Sequence, residues 1–222
     1  MTLVSLAALG RAVAVTAAPR ARRSVATMGV KSMADITRLR ASLPVVKQLQ
    51  EDRAARPIDI AAALKQAGSC DSHFGYEAVS RVLPLVFGWT AVDDCKRQLA
   101  LEKIPAGQLP SSQFSTPMIT AIDYVNENVS GHPGLIHGGM TTVIAHSVMS
   151  LLAALNAPGG ADVVSRSLNM DYRRPIRTGD FVKVHAWVYR REQERLDAAV
   201  QFHSMDGTVL VEATSGLDVY PR

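Results

Sequence analysis

Four stretches toward the C-terminal end of the chain alternate apolar and polar residues with a period of two. In Val164–Tyr172, Val164, Leu168, Met170 and Tyr172 fall on one face and Ser165, Ser167 and Asn169 on the other. Phe181–Tyr189 repeats the pattern with Val182, Val184, Ala186 and Val188, and Arg195–Ser204 with Leu196, Ala198, Val200 and Phe202. Thr208–Val219 begins its apolar face at Val209, Val211 and Ala213. Such alternation predicts strands with one buried face, and Asp206-Gly207 predicts a hairpin turn. Upstream, Met118–Val125 reads as a further strand and Gly131–Gly139 as a turn-rich loop. Met140–Leu155 is strongly apolar and rich in helix formers, and Pro158-Gly159-Gly160 stops it. A helix that apolar must be covered on most sides. The order predicts an α+β fold, a curved antiparallel sheet wrapped around one long central helix.

The first half of the chain reads differently. Asp35–Arg56 places Ile36, Leu39, Leu43, Val46 and Leu49 at helical spacing, with Pro44 as a candidate break and Pro57 as the end. Ile58–Ala67 reads as a short helix stopped by Gly68, while Gly75–Leu101 is ambiguous, its apolar run interrupted by Pro84 and Gly88. Residues 34–109 are expected to form a mainly helical extension. The pattern changes at Pro110–Ser112, so 110–222 is read as the main domain.

Charge distribution separates off a third piece. Met1–Ala34 holds no Asp or Glu but carries Arg11, Arg20, Arg22, Arg23 and Lys31. Basic, acid-poor and Ala-rich, residues 1–33 have the composition of a mitochondrial transit peptide. A bacterial signal peptide fits less well, since no basic segment precedes Leu3–Leu9, and a basic tail without structure is the plain alternative. The expected location is the mitochondrial matrix. Of the 24 Lys and Arg in the chain, 5 lie in this leader, leaving 19 against 20 acidic residues. That balance excludes a general basic surface, and nucleic acid is not an expected partner. Cys70 and Cys95 show no metal-ligand spacing and suit a reducing compartment. No continuous apolar run approaches about 18 residues, so no transmembrane segment is expected.

Candidate chemistry concentrates in Gly131-His132-Pro133-Gly134-Leu135-Ile136-His137-Gly138-Gly139-Met140. Two glycines before a helix let a ligand approach the backbone, and the first-turn amides carry the positive end of the helix dipole. Such a terminus can stabilise an oxyanion. A tight junction with a structural histidine explains the same residues. His132 reads as a loop residue, and His185 and His203 as surface or packed residues opposite the apolar faces of their strands. Asn128-Val129-Ser130 is a glycosylation sequon that a matrix location leaves unused. No Ser-His-Asp order and no metal cluster is visible.

The Gly131–Gly139 run followed by an apolar helix resembles the hotdog-fold thioesterases of the PaaI-like group, including mitochondrial long-chain acyl-CoA thioesterases. Ser165–Ile176 (SRSLNMDYRRPI) is similar to that family's following strand. The resemblance spans roughly residues 118–219 and implies a hotdog fold, acyl-CoA as substrate, and pairing into a homodimer or larger hotdog oligomer. It implies no cofactor beyond the CoA carried by the substrate. Matched residue by residue, it makes His137, Gly138 and Gly139 the substrate-polarising turn, with the Gly139 amide on the thioester carbonyl and Met140 beside it. Ser165 becomes the hydroxyl that helps hold the attacking water, and Arg173 and Arg174 the contacts for CoA phosphates, a role the planar guanidinium suits. A solvated strand end is the alternative for that arginine pair.

One position departs from the family. Its catalytic carboxylate stands nine residues after the motif histidine, where this chain has His146 followed by Ser147, and no Asp or Glu occurs between Glu127 and Asp162. Steps of three and four place Gly139, Thr142, His146 and Ser150 on one polar stripe. A neutral imidazole can serve as a general base near neutral pH. Two functions follow as expectations: a thioester hydrolase that uses His146, or a non-catalytic hotdog subunit of a large mitochondrial assembly.

Overall fold

In the computed structural model the described residues are 32–60, 62–63, 85–101, 104, 108–110, 113–158 and 161–220. Residues 1–31 of the leader, Cys70, half of Ile58–Ala67 and the first part of Gly75–Leu101 lie outside them.

The alternating stretches form the expected antiparallel meander. Strands β7 (Phe181–Glu192), β8 (Arg195–Ser204) and β9 (Val209–Tyr220) pair in sequence. Gly207, at φ 85°, makes the hairpin between the last two. Strand β6 (Asp162–Tyr172) pairs with β9, and β3 (Met118–Tyr124) with β7. The apolar segment after the glycines is one helix of 19 residues, Gly138–Asn156. It lies against β6, β7, β8 and β9, where Val148, Met149 and Leu152 meet Val184, Val200 and Phe202 in one buried cluster. Each large side chain so buried contributes roughly 1.5–3 kcal/mol. A curved sheet around a central helix is the hotdog arrangement. By length and composition this helix could also cross a membrane, but half of its most apolar window is buried inside the fold, as a core helix requires.

The extension contributes helices, as its periodicity predicts, and also strands. Helix α1 (Met33–Ser42) is capped by Ser32, whose side chain accepts from the Asp35 amide. Pro44 opens α2 (Pro44–Glu51) at a position where its missing N–H has no partner to lose. Helix α3 (Val92–Leu101) follows, and we number the central helix α4. Between them, β1 (Ala55–Pro57) pairs with β2 (Val86–Trp89), and β2 pairs with β3. The sheet therefore has seven strands in the order β1-β2-β3-β7-β8-β9-β6 and runs across residue 110 without a break. An apolar run as short as Val86–Trp89 carries no periodicity that separates strand from helix. At Gly88 a Cβ would come 2.8 Å from Ile58 Cδ1, so a larger residue there would push the Ile58 side chain aside.

The extension covers the outer face of the sheet. Val46, Leu49, Phe87, Cys95 and Leu99 close over Met118, Ile122 and Trp187. Arg40 lies 5.9 Å from the Phe181 ring centroid and faces the buried Asp123, which is only 7% exposed. Burial pushes the Asp123 carboxyl up to about 7, against the pull of Arg40. Because the folded pKa lies above the unfolded one, this group favours folding most at pH below about 4, and that contribution is lost as pH rises through 7. The loss is on the order of 4 kcal/mol at most. Relative to Asp123→Asn, the denaturant midpoint of the full chain should therefore fall between pH 5 and pH 8. A slope unchanged by Asp123→Asn would assign it to other groups.

Candidate active site

The loop before α4 is built by its glycines. Strands β4 (Ser130–His132) and β5 (Leu135–Ile136) form a small hairpin, with Gly134 at φ 75° after Pro133 in the turn. A Cβ on Gly131 would come 2.9 Å from His137 Cα, so only glycine lets the two segments lie this close. The His137 amide donates to Val129 O at 2.8 Å, which fixes the entry into the helix.

His137 is the N-cap. Its Nδ1 accepts from the Gly139 amide at 2.9 Å, and its carbonyl accepts from Met140 at 2.9 Å and Thr141 at 3.2 Å. The two glycines are thus the first two helical residues rather than residues that precede the helix. The Gly139 amide expected to face a thioester carbonyl is engaged by the side chain two residues before it. Substrate would have to replace Nδ1 as its acceptor.

The opposite end of the same peptide unit is also held. Gly138 O accepts from Tyr172 OH at 3.0 Å and from Thr142 Oγ1 at 3.1 Å, and the two hydroxyls are 2.9 Å apart. Two hydroxyl protons serve three short contacts, so in every arrangement that uses both, at least one reaches Gly138 O. A hydrogen bond accepted by a peptide carbonyl strengthens the donor on its nitrogen. Tyr172 was not among the site residues expected from sequence. Its parity with Leu168 and Met170 was the available signal.

Two turns along α4, His146 Nε2 lies 2.6 Å from Ser165 Oγ. Ser165 reaches the helix because β6 carries a bulge: Ser165 pairs with Leu217 and Ser167 with Gly216, leaving Arg166 as the extra residue. Strict alternation assigned Ser165 to the face opposite Leu168, Met170 and Tyr172. The bulge corrects this, placing Ser165 with them on the helix side and turning Val164 outward, 50% exposed. Burial lowers the His146 pKa below the ordinary 6.5, so the imidazole is neutral near pH 7 and available as a base. Along one helix, seven residues separate Gly139 from His146 by about 10 Å.

The arginine pair is elsewhere. Arg173 Nε donates to Glu212 Oε2 at 2.8 Å, and its Nη2 lies 2.8 Å from Asp171 Oδ2. Glu212 sits between the inward Val211 and Ala213, so these contacts are on the outer face of the sheet. Arg173 and Arg174 line an open concavity there with Gln201, Glu212 and Trp187. In this chain they do not line the His146–Ser165 site. On the same outer face His185 and His203 are packed rather than exposed, His185 Nδ1 lying 2.8 Å from Thr120 Oγ1 and His203 Nε2 3.1 Å from Gln201 Oε1. Among the described residues no cluster of His, Cys, Asp or Glu could hold a metal ion.

Residues 133–211, from the β4–β5 turn into β9, match the family described as the thioesterase superfamily. Parts of the chain are also similar to individual proteins. A candidate esterase of Pseudomonas aeruginosa is 28% identical over 93 residues, which is 42% of this chain and 68% of that one. Among solved structures, a thioesterase of Haemophilus influenzae superposes with TM-score 0.44 at 22% identity, over 46% of this chain and 71% of its own. A Streptococcus mutans protein solved with acetyl-CoA gives TM-score 0.45 at 15% identity, over 49% and 86% of the two chains.

Proposed function

We propose that the protein is an acyl-CoA thioesterase that works as a homodimer in the mitochondrial matrix. The observation that carries this reading is the 2.6 Å contact of His146 Nε2 with Ser165 Oγ in a thioesterase-superfamily segment. A neutral imidazole against a hydroxyl can deprotonate an attacking oxygen. The Gly139 amide, on a peptide held by Tyr172 and Thr142, is the donor for the thioester oxyanion.

The separation of about 10 Å between those two parts along α4 calls for a second copy. Its surface is available. Strand β6 ends the sheet with 11 residues exposed or half-buried, and Val143 (39% exposed) lies on the open side of α4. An edge that long and an apolar helix half uncovered favour pairing with another chain. Antiparallel pairing of two β6 strands would carry His146 and Ser165 of one copy toward Gly139 of the other. The matrix location rests on the composition of residues 1–33.

A second reading is favoured by one observation, the absence of any acid on α4, which in this fold leaves the helix without the family's usual base. The protein would then be a non-catalytic subunit of a large mitochondrial assembly. CoA release by the purified full chain, measured across acyl-CoAs of 4 to about 18 carbons together with sedimentation, separates the two. Turnover by a species of twice 23.9 kDa supports the enzyme. Background rates at every chain length, with the protein recovered from mitochondria only in a large complex, support the subunit.

A further inference from the structure

We infer that Ser165 is the nucleophile, so that hydrolysis passes through an acyl-serine rather than through direct attack by water. The inference rests on the thioesterase reading above and specifies its chemistry.

A carboxylate has two oxygens and can hold a serine hydroxyl with one while activating water with the other. A neutral imidazole has one basic nitrogen, the other carrying the proton. When a histidine takes the place of the carboxylate, the serine and the water compete for a single acceptor. The geometry decides between them. His146 Nε2, at the ring tip, is 2.6 Å from Ser165 Oγ. Nδ1, bonded to Cγ, sits back toward the helix. The bulge at Arg166 aims Ser165 at that ring tip. A nucleophile and its base within hydrogen-bond reach are the arrangement of covalent acyl transfer.

The steps balance. Ser165 Oγ attacks the thioester carbonyl carbon while His146 Nε2 takes the hydroxyl proton. The C–S bond breaks, CoA leaves as thiolate and takes the proton from His146, and the acyl group remains as an ester on Ser165. That ester oxygen no longer donates a proton, so Nε2 is free to accept one from water. Water attacks the ester, the C–O bond to Ser165 breaks, the fatty acid leaves, and the proton returns from His146 to Ser165. One nitrogen serves both halves in turn.

The test uses the full chain with octanoyl-CoA, quenched in acid and read by intact and peptide mass spectrometry, alongside labelling by a fluorophosphonate. The expected result is an octanoyl adduct on Ser165, fluorophosphonate labelling at the same residue, loss of both in His146→Gln, and a fall in kcat of about 10²-fold or more in Ser165→Ala. Retention of the wild-type thermal midpoint by Ser165→Ala assigns that fall to chemistry. CoA release with no adduct, no labelling and Ser165→Ala within threefold of wild type would overturn the nucleophile while keeping the thioesterase. Labelling of Ser165 that depends on His146, with no CoA release, would keep the nucleophile and remove the thioester as its substrate. Neither labelling nor release would overturn both.

Discussion

His146→Ala is expected to lower kcat/KM for acyl-CoA hydrolysis by between about 10² and 10⁴-fold, the range of a positioned proton-transfer group. α4 carries no Asp or Glu, and no acid lies between Glu127 and Asp162, so no neighbouring acid on the helix can take over the proton. The side chain lies on the open side of the helix rather than among Val148, Met149 and Leu152, so its removal leaves the core intact. His146→Gln adds a control, because the amide can still hydrogen-bond Ser165 but is not a base. Both variants should keep the wild-type thermal midpoint and lose activity together. A His146→Ala protein within threefold of wild type would remove His146 from the mechanism.

Gly131→Ala is expected to reduce kcat by roughly 10²-fold, the effect of displacing a catalytic group by about 1 Å. The added methyl would come 2.9 Å from His137 Cα and 3.1 Å from His137 Cβ. Backbone cannot give way there as a flexible side chain tip can, so the β4–β5 hairpin must move off His137. The bond from the His137 amide to Val129 O weakens, the N-cap shifts, and the Gly138–Gly139 peptide loses its place between His137, Thr142 and Tyr172. The same crowding should reduce stability by about 1–3 kcal/mol, which denaturant unfolding measures. Gly134→Asn is the contrast, since Gly134 has open space around it and asparagine tolerates its positive φ. A Gly131→Ala protein with wild-type kcat would show that the close approach is not needed for catalysis.

Much of this was readable in the chain itself. The meander, the central helix and the turn that starts it follow from alternation and glycine placement, and the polar stripe on α4 singled out His146. The bulge at Arg166 was not readable. One extra residue leaves no trace in composition, yet it moves Ser165 to the helix face and Val164 away from it. The strands of the extension were hidden for a different reason. Val86–Trp89 becomes a strand because the β3 edge offers it backbone partners far away in sequence, and Ala55–Pro57 because Val86–Trp89 then offers it the same. Arg173 is the instructive case. Counting by twos from Leu168 and Met170 already put it with Asn169 and Asp171 on the outer face, where Glu212 holds it. The engagement of the Gly139 amide by His137 depends on a side-chain rotamer, which spacing alone does not reveal.

The claim that His146 is the base of a thioester hydrolase is tested most directly by the pH dependence of kcat/KM for octanoyl-CoA, followed by CoA release from the full chain between about pH 4.5 and 8.5. Burial holds the imidazole below its ordinary 6.5, and only the neutral ring can accept a proton. The rate should therefore be flat above neutral pH and fall as pH drops through a single midpoint below 6.5, and that titration should vanish in the residual activity of His146→Ala. A midpoint above 6.5, a profile unchanged by His146→Ala, or no CoA release at any pH would contradict it.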